Sequence, residues 1–156
     1  MGKNLLCASA LVGAVLSSGI CFAKDPSVKK LKKAPTRIAV GGAILTLEAH
    51  LWKDSESASL AAALKMKTTG NVALPAGIEV NRVWVIRKKE VWSADDHRAE
   101  IALTEPGKPR SVMNIAFGNG PKWIPGTKVT CVVRIKMLDG AEGLLKAGKT
   151  AIAATP

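Results

Sequence analysis

From Gly41 onward, apolar and polar residues alternate along most of the chain, the two-residue period of strands that bury one face. Ala43, Leu45, Leu47, Ala49 and Leu51 fall on one side of a stretch over 43–52, with Thr46, Glu48 and His50 on the other. The same period predicts a strand over 127–138, where Val129, Cys131, Val133, Ile135 and Met137 face one way and Thr130, Arg134 and Lys136 the other. Shorter apolar and β-branched runs predict strands at 78–86, 90–92, 98–103, 111–117 and 144–152, the last bulged at Gly148. The stretch over 60–69 is assigned a strand with Leu60, Ala62, Leu64 and Met66 inward, because Leu64-Lys65-Met66-Lys67-Thr68 alternates. The helix propensity of Ser57 to Leu64 keeps a helix open as the alternative.

Breakers separate these runs at short spacing. Asp54-Ser55-Glu56-Ser57, Leu74-Pro75-Ala76-Gly77, Glu105-Pro106-Gly107-Lys108-Pro109 and the long corner over 118–126 are turns or loops, Arg87-Lys88-Lys89 is a tight corner, and Asp139-Gly140 is a hairpin signal. Seven to eight short strands with no strand–helix–strand rhythm predict an all-β domain, a sandwich of two antiparallel sheets over 41–156. Trp84 on a mid-chain strand and the corner Pro125-Gly126-Thr127-Lys128-Val129-Thr130-Cys131 resemble the immunoglobulin-like kind. The chain departs from that pattern in having no Tyr and, from Lys24 onward, no second Cys to pair with Cys131. The segments Leu51-Trp52-Lys53-Asp54, Arg82-Val83-Trp84-Val85, Glu90-Val91-Trp92 and Gly120-Pro121-Lys122-Trp123 resemble those of small uncharacterised exported bacterial proteins. That resemblance carries no activity with it.

The chain opens differently. Lys3 precedes an apolar stretch over 5–16, then the helix breakers Ser17, Ser18 and Gly19, then Cys21-Phe22-Ala23 with small residues three before and next to a cut after Ala23. This three-part pattern predicts a signal peptide over 1–23 and a periplasmic or secreted product. Lipoprotein processing at Cys21 is the competing reading, and Ile20 directly before the cysteine fits it poorly. Cleavage removes Cys7 and Cys21 and leaves Cys131 alone, expected as a small buried hydrophobe.

Charge then sets the class of partner. The net charge of +11 falls to +10 once Lys3 is removed, because it is the one charged residue before Lys24. The segment KDPSVKKLKKAPTR over 24–37 sets six basic residues against Asp25, and with Pro26 and Pro35 in it the stretch over 24–40 is expected to be an exposed, extended basic linker. Outside the cytoplasm such a balance draws the chain to anionic membrane surfaces, wall polymers or acidic envelope proteins rather than nucleic acid. Lys29, Lys30, Lys32 and Lys33 are the candidate docking residues.

Catalytic chemistry finds little support. His50 and His97 have no second His or Cys at ligand spacing, Asp95-Asp96-His97 is expected to be a solvated turn, and Met66, Met113 and Met137 lie on apolar rows, so no metal and no cofactor is assigned. Neither a Gly-x-Ser-x-Gly elbow nor a phosphate loop occurs, and nothing in sequence brings two carboxylates together. Trp52, Trp84, Trp92 and Trp123 are expected to fill the core and close the sandwich ends; the alternative sets Trp92 and Trp123, with Lys122, on a recognition surface. The expectation is a non-catalytic exported binding or accessory domain. A basic protein docked on an anionic surface is the alternative, and a cell-wall hydrolase is the third reading.

Overall fold

The computed structural model describes residues 24–155; the leader read over 1–23 lies outside them. Among the described residues a short helix, α1 (Val28–Lys32), precedes ten strands: β1 (Arg37–Val40), β2 (Ala43–Lys53), β3 (Leu60–Thr68), β4 (Glu79–Arg87), β5 (Glu90–Ser93), β6 (His97–Ile101), β7 (Val112–Phe117), β8 (Lys128–Lys136), β9 (Glu142–Lys146) and β10 (Thr150–Ala151). Every strand expected from the alternation forms, and the stretch from Leu60 is a strand, not a helix. The count reaches ten because β1 is added and the last expected strand divides into β9 and β10 around Gly148.

The strands make two antiparallel sheets packed as a β-sandwich. The first has the order β1-β2-β3-β7-β6. In the second, β4 lies between β5 and β8, and β9 and β10 share the far edge of β8, pairing with its residues 132–136 and 128–129. The bulge between them is bridged where Ala147 N–H donates to Cys131 O at 2.9 Å. Past β10, Ala153 N–H donates to Leu51 O at 2.8 Å and Lys53 N–H to Ala153 O at 3.2 Å, so the end of the second sheet is fastened to the edge of the first.

The inward rows meet as the alternation requires. Leu45, Leu51, Leu64, Met66 and Ile115 from one sheet pack with Val83, Val85, Cys131, Val133, Ile135 and Leu145 from the other, all of them buried. Both ring nitrogens of His97 face carbonyl oxygens, Nε2 that of Val80 at 2.9 Å and Nδ1 that of Ala94 at 3.2 Å, which clips the start of β6 to β4.

The stretch over 24–40 departs from the extended linker expected of it, and the sandwich begins at Arg37 rather than at 41. Ser27 caps α1, its Oγ accepting from Lys30 N–H at 3.3 Å. Leu31 and Ala34, three residues apart, then cover Trp84, Ile86 and Val132 on the outer side of the second sheet, with Val28 packed beside them. Pro26 and Pro35 bracket the helix instead of interrupting it. Burying a leucine contributes roughly 2 kcal/mol, enough to hold a short segment that its lysines alone would leave in solvent. Trp84 therefore lies on a central strand but faces away from the other sheet, with the Arg134 guanidinium 5.0 Å from its ring centroid.

Candidate functional site

The docked arm turns one outer face of the sandwich into a basic surface. Leu31 and Ala34 point into the sheet, so Lys29, Lys30, Lys32 and Lys33 point out, and all four are exposed. Three hydrogen bonds and an ion pair fix the arm: Lys146 N–H to Pro35 O at 2.8 Å, Lys146 Nζ to Lys32 O at 2.7 Å, Arg134 Nη2 to Lys24 O at 3.5 Å, and Arg82 Nη2 to Asp25 Oδ2 at 3.2 Å.

On either side of α1 lies a groove. The larger, about 1390 Å³, runs between the arm, the Lys88-Lys89 corner, the loop over 124–127 and the bulge over 147–149. Ile124 and Pro125 stand exposed on its rim, and Lys32, Arg87, Lys88, Lys89, Lys128, Lys146 and Lys149 line its walls. The smaller, about 580 Å³, has Lys24, Lys30, Lys33 and Arg134 around Ile38 and Leu144.

The acids on this face are already engaged. Glu90 is held by Arg87, Nη2 to Oε2 at 2.6 Å, Asp25 by Arg82, and Glu142 lies 3.9 Å from Arg134 Nε. Among the described residues, the six lysines of the larger groove form no ion pair. Their charges therefore sum over a shared concave surface and attract anions from solution. The outer face of the first sheet is different: its charges are mixed, with Lys67 bonded to Glu48 and that bond holding the Glu48 carboxyl below its ordinary range.

The other sequence candidates are distributed unevenly. Trp123 is 8% exposed and joins the core, capped by Arg87 4.9 Å from its ring centroid, so it offers no recognition surface. Trp92 is half-buried, its inward ring 5.5 Å from that of Phe117. Lys122 is exposed but lines neither groove. Lys32 lines the larger groove, Lys30 and Lys33 the smaller, and Lys29 neither. The groove cations Lys88, Lys89, Lys128, Lys146 and Lys149 were not singled out by sequence reasoning, because they come from separate segments that only the β4-β8-β9/β10 pairing brings together.

Asp95 accepts from Arg82 Nη1 at 3.4 Å and from Ser93 Oγ at 3.2 Å, while the neighbouring His97 ring faces the two carbonyls described above. Among the described residues no three His, Cys, Asp or Glu side chains are grouped to hold a metal ion. Cys131 is fully buried, and burial pushes its thiol up to about 12. The fold and this face thus define a β-sandwich with one strongly basic outer surface. Set against protein-family models, curated proteins and solved structures, the chain matches none.

Proposed function

We propose that the chain is an exported, non-catalytic binding domain of the immunoglobulin-like kind, held by its basic face to an anionic component of the cell envelope. The observation that carries this reading is the collection of unpaired lysines on one side of the sandwich, arm and groove together, with their neighbouring carboxylates already neutralised. The leader pattern over 1–23 supports export. The strand order supports the immunoglobulin-like assignment: β2-β3-β7-β6 against β5-β4-β8-β9 corresponds to strands A-B-E-D against C′-C-F-G.

Fractionation of cells that make the full chain tests it. The product recovered outside the cytoplasm should begin at Lys24 by mass spectrometry and sediment with the envelope at low salt. It should be released at about 0.5 M salt, where exposed charges are screened within a few ångströms. Recovery in the cytoplasm with Met1 attached, or retention insensitive to salt, would falsify the reading.

A further inference from the structure

We infer that the larger groove takes a linear phosphodiester polymer, a wall-type chain of repeating polyol phosphates laid along it. The inference rests on the basic-face reading and narrows it from anionic surfaces in general to one ligand chemistry. Shape is the first reason. A flat bilayer meets the rim of a concave surface, whereas Lys146 is half-buried, its Nζ 2.7 Å from Lys32 O, on the inner side of the groove. A flexible chain about one residue wide reaches both walls at once.

The kind of cation is the second reason. The free charges are all ammonium groups, Lys32, Lys88, Lys89, Lys128, Lys146 and Lys149, while the one guanidinium, Arg87, is held by Glu90 and lies over Trp123. Point charges on flexible stems suit single-charge phosphodiesters spaced along a mobile chain, because they follow the charge without imposing the fixed bidentate geometry of a guanidinium. The third reason is the rim. Ile124, 69% exposed, and the exposed Pro125 beside it give the uncharged carbons between phosphates an apolar contact. Nucleic acid is a poorer occupant, because single-stranded bases need an open aromatic face and the one indole near the groove is closed under Arg87.

Fluorescence anisotropy with labelled poly(glycerol phosphate) at about 50 mM salt tests the assignment on the exported full chain. Saturable binding is expected. Lys88→Ser/Lys89→Ser/Lys149→Ser should weaken it about tenfold or more, and Lys29→Ser/Lys30→Ser/Lys33→Ser, beyond the ridge of α1, about twofold or less. These side chains are exposed, and unchanged circular dichroism confirms that the variants fold. Equal losses from both triples would mean diffuse attraction and overturn the groove assignment. So would tighter binding to vesicles containing anionic lipid, or equal binding of a single-stranded oligonucleotide of the same charge. In those cases the basic-face reading survives, whereas failure to bind polymer, vesicle and oligonucleotide alike defeats both.

Discussion

Lys146 donates from Nζ to the carbonyl oxygen of Lys32 at 2.7 Å, so a strand of the second sheet ties down the last residue of the arm helix and lines the groove with it. Positive charge at a helix C-terminus is favourable. The arm is therefore part of the fold and part of the proposed binding surface. Its anchor is Leu31, 1% exposed. Leu31→Ala should lower stability by about 2–3 kcal/mol in urea titration and open the Lys29-Lys30 bonds to trypsin while the sandwich persists. A variant as resistant as the parent chain would mean that Leu31 does not hold the arm.

Gly120 lies where two backbones close on each other, its N–H donating to Leu60 O at 3.0 Å. A Cβ there would stand 2.8 Å from Leu60 Cβ and 3.2 Å from Trp92 Cη2. Gly120→Ala should cost about 1–3 kcal/mol and alter Trp92 fluorescence. A neutral substitution with unchanged emission would show that this corner yields freely.

Cys131 supplies a pH dependence whose sign follows from its burial. The folded chain keeps the thiol protonated up to about 12, against an ordinary value of 9.0. Its contribution is therefore full below about pH 9 and lost as the pH rises toward 12, on the order of 4 kcal/mol across the whole range. Urea midpoints should fall between about pH 9 and pH 11 more steeply in the parent chain than in Cys131→Ala, which has no thiol to ionise. The native thiol should also resist aromatic disulfide reagents at neutral pH until urea is added. Parallel pH curves or prompt labelling would contradict this placement.

Much of the fold was legible because the core is written at every second position: Leu45, Leu47 and Leu51, or Val129, Cys131 and Val133, are buried where their spacing puts them. The arm was not, because its lysines outnumber its apolar residues and mask the spacing of Val28, Leu31 and Ala34. A signal existed on the other side of that contact. Val83-Trp84-Val85-Ile86 and Cys131-Val132-Val133 are apolar at every position, and a strand of that kind needs both faces covered. Trp123 fills the core, as the main expectation had it, and the alternative that set it on a recognition surface failed for a related reason: Lys122 beside it suggested exposure, while its actual cover, Arg87, comes from a distant strand end. The groove was invisible to motif reasoning, since its lysines become neighbours only through strand pairing.

Lys88 adopts φ +53° in the corner between β4 and β5, a left-handed conformation that costs a residue with a Cβ about 1 kcal/mol or more. Lys88→Gly should raise thermal stability by about 3 °C while weakening binding of a phosphodiester chain, because it relieves the backbone and removes a groove charge together. A stabilised variant that binds as well as the parent would exclude Lys88 from the surface.

The most direct measurement is a backbone amide NMR titration of the folded protein with a short poly(glycerol phosphate) chain. Shifts are expected to concentrate at Lys32, at 86–89, at 124–130 and at 146–149, and to collapse when salt is raised to about 0.5 M. Shifts centred on the outer face of β2 and β3, or none at any concentration, would contradict a basic face that binds anions.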